Sequence, residues 1–207
     1  MSSRDLLLRK GLGWPGEPGD WNPGTSTLEN HTHRVLMAEL IRRRYRERIS
    51  LREIAERARV AASSLAATEA GESWPSYQVL AGYAACVGLR LSFEPREPHR
   101  YVDKTRNDVE QLERQVRDLS IGAERPDVPA FVRACHDLNC AQVTQIRTGR
   151  GLTIRDVASR TPLALPTVAR IDLAPAKDQW VAYKTLLIAS LACGGTPRLT
   201  AVTAGQA

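Results

Sequence analysis

One stretch of this 207-residue chain occurs twice, and that repetition constrains the fold more than any other feature. Shifting the sequence by 103 residues places Arg44 on Arg147, Ser50 on Thr153, Leu51 on Ile154, Arg52 on Arg155 and Glu53 on Asp156. It also places Ile54 on Val157, Ala55 on Ala158, Arg57 on Arg160, Val60 on Leu163, Leu65 on Val168 and Glu69 on Asp172. After a three-residue insertion Trp74 meets Trp180, Tyr77 meets Tyr183 and Leu80 meets Leu186. Apolar positions stay apolar and charges stay at helix ends, so the chain is expected to build one supersecondary unit twice.

The unit reads as two short helices. Ser50 with Glu53 has the capping-box spacing, and Thr153 with Asp156 repeats it. Leu51, Ile54 and Ala55 recur at helical spacing and mark one buried face. Val60 is the lone apolar residue in the break. A second run, 61–69, turns Leu65 inward and stops at Gly71, a left-handed terminator. Two short helices across a three- or four-residue turn make a helix-turn-helix unit, whose second helix suits the DNA major groove.

Charge supports an acidic polymer as partner. Net charge is +6, and residues 34–92 (10 basic, 6 acidic) and 131–207 (9 basic, 4 acidic) carry the excess. Arg outnumbers Lys 25 to 4, which suits bidentate contacts to phosphate and guanine, although a coding bias explains it equally well. No apolar run reaches the length of a membrane span. The four cysteines lack metal-ligand spacing: Cys135 and Cys140 are five apart and share no helix face, and His136 has no evident partner. No nucleophile–base pair, phosphate loop or cofactor motif is present, so neither an enzyme nor a cofactor is expected. The expected location is the cytoplasm, on the nucleoid when DNA is bound.

Arg44, SLREIAERARV at 50–60, Leu65, Glu69, Gly71, Pro75 and LAGYAACVGLRL at 80–91 together resemble the Xre/lambda-repressor-like helix-turn-helix family. The resemblance implies an all-α protein with two such domains, at 34–93 and 131–200, joined by a helical linker over 94–130. A Gly/Pro-rich arm (1–33) precedes them and a tail (201–207) follows. Arg59 stands where the family's turn has Gly, and Ala61 where a Ser or Thr cap is usual. The resemblance further implies a sequence-specific transcriptional regulator of double-stranded DNA, on a bipartite or asymmetric site. Its expected DNA contacts are Arg44, Arg52, Ala62, Ser63 and Ala67 in the first copy, and Arg147, Arg155, Leu165, Thr167 and Arg170 in the second. Small side chains such as Ala62 and Ser63 give no bidentate base contact; Thr167 and Arg170 are better equipped. The alternative is a protein-interaction module, antitoxin-like or binding a polymerase subunit or another regulator, that reuses degenerate helix-turn-helix domains.

Within the linker, Val102, Thr105, Val109, Leu112, Val116 and Leu119 follow an a/d pattern over an otherwise charged helix, 102–119. The stripe serves either a homodimer or packing against the chain's own domains.

Overall fold

The computed structural model describes residues 28–96, 106–120 and 127–202. The N-terminal arm as far as residue 27, the tail from 203, and Val102 and Thr105 of the linker stripe lie outside them. The described residues form nine helices and two strands: α1 (Leu28–Glu47), α2 (Leu51–Ala58), α3 (Ala62–Glu69), α4 (Tyr77–Cys86), β1 (Leu89–Pro95), α5 (Arg106–Ser120), α6 (Val128–Gly149), α7 (Ile154–Arg160), α8 (Leu165–Lys177), α9 (Tyr183–Ala192) and β2 (Gly195–Ala201). The order of four helices and a strand therefore occurs twice, with α5 between the copies.

The local causes repeat as well. Ser50 caps α2 by accepting from the Glu53 amide at 3.1 Å. Thr153 caps α7 through a full box: it accepts from the Asp156 amide at 3.1 Å, and Asp156 accepts from the Thr153 amide at 2.7 Å. The Thr153 bonds hold the exposed Asp156 carboxyl below its usual range. Helix α2 ends at Arg59 with φ 54°, a left-handed conformation where the missing Cβ of glycine would avoid strain. The glycines that join each fourth helix to its strand, Gly88 and Gly194, both have positive φ (74° and 73°).

One expectation needs correction, and one open alternative is narrowed. The all-α expectation gives way at the end of the first copy, where α4 stops at Cys86 and Leu89–Pro95 is a strand. Leu89, Leu91 and Phe93 alternate with Arg90 and Ser92, a period of two in residue type, although Ser92 is buried as well. The fold is thus predominantly helical but carries a two-stranded antiparallel sheet. The linker stripe is also occupied within the chain: Val109 and Val116 pack with Phe131, Cys135 and Leu138 of α6, and Leu112 is half-buried beside them. At Val109, Leu112 and Val116 the stripe therefore packs within the chain.

The sheet reveals how the copies are arranged. Leu89 pairs with Ala201, Ser92 with Arg198, and Pro95 with Gly195. With the offset of 106 that applies after the insertion, Ser92 is equivalent to Arg198, Leu89 to Gly195 and Pro95 to Ala201. The ladder therefore maps onto itself when the copies are exchanged, with the Ser92–Arg198 pair at its centre. That is the pattern of an isologous dimer, built inside one chain. One hydrophobic core runs through both copies, from Leu40, Ile54 and Leu65 to Val168, Ile171 and Leu186.

Candidate nucleic-acid interface

The helix pairs α2–α3 and α7–α8 are anchored to their copies by the same ion pair. Arg44 is buried, and its guanidinium donates to Glu69 from Nε (2.8 Å) and Nη2 (2.9 Å). Nη1 also donates to the Ile49 carbonyl at 3.3 Å. Arg147 does likewise 103 residues on: Nη2 donates to Asp172 at 2.7 Å and Nη1 to the Leu152 carbonyl at 2.7 Å. Burial opposes the charge on Arg44, and the bonds and charges of Glu69 and Tyr83 outweigh it, raising its pKa. The two arginines expected at DNA are therefore corrected to internal clamps. Arg44 is 8% exposed and holds the last turn of α3 through Glu69, and Arg147 holds the middle of α8 through Asp172.

The clamps differ in one respect. In the first copy the Tyr83 hydroxyl accepts from Arg44 Nε at 3.0 Å and donates to Glu69. Ala189 is its counterpart in the second copy, and a cavity of about 10 Å³ borders it, lined also by Arg147, Asp172, Val157, Val168 and Cys193. Arg147 Nε has no hydrogen-bond partner among the described residues. Thr144 compensates in part, donating to Asp172 at 2.8 Å. Glu69 thus accepts three side-chain bonds in the first clamp, and Asp172 two in the second.

The remaining expected site residues are exposed or half-buried. On α3, Ala62, Ser63, Ser64 and Ala66 are exposed and Ala67 is half-buried. On α8, Leu165, Pro166 and Arg170 are exposed and Thr167 is half-buried. Arg52 and Arg155 are exposed on the first helix of each motif, as are Arg57 and Arg160. Arg52 pairs with Glu56 at 3.1 Å across one turn, an exposed contact worth little. Neither Arg155 nor Arg170 has an ion-pair partner among the described residues. The caps of α3 and α8, Ala61 and Ala164, are equivalent alanines without side-chain cap bonds. In α3 this leaves the Ala62 and Ser63 amides open to an anion; in α8 Pro166 has no N–H and the Thr167 amide donates to the Ala164 carbonyl, which leaves the Leu165 amide.

Sequence reasoning missed the contacts that join the copies. His33 stacks on Trp74 (ring centroids 4.5 Å apart) and lies 5.6 Å from Tyr183. His136 lies 4.7 Å from Trp180 and 4.9 Å edge-on from Tyr77. Each triad takes His and Trp from one copy and Tyr from the other. Extending the 103-residue shift upstream would have exposed this, because it places His33 on His136. The triads are not identical in polarity. The Val181 amide donates to His136 Nε2 at 2.9 Å, but Pro75, its counterpart, has no N–H to offer. Burial, with a smaller contribution from the Arg34 charge, lowers the pKa of His33 to about 4. The Tyr77 hydroxyl donates to Asn139 at 2.7 Å, and Asn139 in turn donates to the Leu91 carbonyl and to Gln142. Leu36 stands at the position equivalent to Asn139, and the buried Tyr183 hydroxyl lacks a partner among the described residues.

Among the described residues no group of three or more His, Cys, Asp or Glu side chains could hold a metal ion. The four cysteines are buried and unpaired. Burial pushes Cys86 and Cys193 up to about 11, and Cys135 to about 12, so none of these is a thiolate at neutral pH. No described helix is long and apolar enough to cross a membrane. No protein-family model matches the chain, and neither does any curated protein or solved structure.

Proposed function

We propose that this chain is a sequence-specific double-stranded DNA-binding transcriptional regulator of the Xre-like helix-turn-helix kind, acting in the cytoplasm. The observation that carries the proposal is the duplicated surface. Twice, a short helix with an open amino end follows a helix that carries two exposed arginines: Arg52 and Arg57 in one copy, Arg155 and Arg160 in the other. Arginines and free amides at that position suit phosphates on either side of a groove, and α3 and α8 would lie in the groove. Arg170 and Thr167 are the side chains with the chemistry to read base edges, and Leu165 suits a thymine methyl.

The test is equilibrium binding of the full chain to a random duplex pool at physiological salt. A discrete enriched sequence is expected. Arg155→Ala should weaken every duplex alike and lower the salt slope by about 1, as loss of one phosphate contact does. Binding with no sequence preference would refute the proposal.

A second reading has an observation in its favour. Leu165 and Leu173 are each 43% exposed on α8, and the open face of α3 carries only Ala and Ser. Such a surface also suits a protein partner, in the manner of an antitoxin or a polymerase-binding module. Recovery of one stoichiometric protein that competes with no DNA sequence would favour it.

A further inference from the structure

We infer that a single chain is the complete reading unit for an inverted repeat of two unequal half-sites, the α8 half strict and the α3 half tolerant. The inference rests on the DNA-binding proposal and adds the geometry and stoichiometry of the site.

Three observations fix the orientation of the two motifs. The strand ladder maps onto itself about the Ser92–Arg198 pair. The aromatic triads are reciprocal, each taking its Tyr from the opposite copy. The core is continuous across both copies. Two heads on a loose tether would accept direct repeats and variable spacing. Heads locked by a shared sheet and core keep one relation, and a two-fold relation between reading helices demands half-sites in inverted orientation. Both halves of that interface are already present in one chain, so no second chain is needed to complete the site.

The inequality comes from the helices themselves. The α3 face offers Ala62, Ser63 and Ala66, which accept several bases. The α8 face offers Thr167 and an unpaired, exposed Arg170. Arginine is the side chain that grips guanine with two bonds, so discrimination should concentrate on the α8 half.

The experiment selects binding sequences for the full chain from a random duplex pool, then weighs the complex by sedimentation. The expected result is an inverted pair of half-sites, one well defined and one degenerate, with one chain bound per duplex. Arg170→Ala should lower affinity about tenfold or more and erase preference in the strict half only. Arg170→Lys, which keeps the charge, should relax the same half while leaving the salt dependence unchanged. Ser63→Ala should change affinity less than about threefold, as an unshared permissive contact would. Direct repeats, a lone half-site, or two chains per duplex would overturn the inference while leaving the DNA-binding proposal intact. A pool without any enriched sequence would overturn both.

Discussion

Tyr77 and Tyr183 occupy the same position in the two copies and are both fully buried, yet among the described residues the Tyr77 hydroxyl has a partner and the Tyr183 hydroxyl has none. Removing a bonded hydroxyl strands the group left behind, whereas removing an unbonded one does not. Tyr77→Phe should therefore destabilise the protein by about 1–3 kcal/mol, because Asn139 loses the donor to its carbonyl oxygen. Tyr183→Phe should be neutral or slightly stabilising; paired denaturation curves measure both. His33 makes a similar point about charge. Its pKa falls from 6.5 unfolded to about 4 folded, so the unfolded chain takes up the proton first as pH drops. Its contribution is fully present above pH 6.5 and is lost between there and about pH 4. His33→Phe keeps a ring against Trp74 and should flatten the fall in stability across that window. The Arg44–Glu69 pair belongs here too. Glu69→Gln leaves a buried guanidinium without its counter-charge, and a cost of about 3–5 kcal/mol is expected in a denaturant titration.

At the scale of elements, α2 and α4 approach so closely that a Cβ on Gly82 would lie 2.7 Å from the Ala58 Cβ. Alanine would gain about 1 kcal/mol of helix propensity at that position. The clash is with a stub that cannot swing aside, and such overpacking costs about 1–3 kcal/mol. Gly82→Ala should therefore leave the protein no more stable and most simply less so, read as a lower melting temperature. Elements fixed by their own residues were legible beforehand: α2 and α7 through their caps, and the left-handed stop at Gly71. Elements fixed by distant partners were not. Strand β1 exists because β2 lies beside it, and Pro197 in β2 gives little local sign of a strand. The stripe on α5 carried both uses equally, and only the facing surface of α6 decides between them. Among candidate site residues, exposure followed helical periodicity correctly for Ala62, Ser63, Leu165 and Arg170. It failed for Arg44 and Arg147, because a charge on paper does not show that an acid 25 residues later will claim it.

At the scale of the whole molecule, two copies of one unit meet as the halves of a dimer do, around a shared sheet, reciprocal aromatic triads and one core. The buried residues of both copies belong to one continuous core. Denaturant unfolding should accordingly show one cooperative transition, with fluorescence and circular dichroism coincident; separate transitions for the two copies would contradict the shared core. The same arrangement holds two unequal motif helices, α3 and α8, in a fixed relation, which the proposed function puts to use on one DNA duplex. Hydrogen exchange of the full chain, alone and with the duplex it selects, tests that use most directly. The expected result is slowed exchange in the first turns of both α3 and α8 and in the turns before them, with α5 unchanged. Slowing confined to α5 and α6, with both motif helices unaffected, would contradict it.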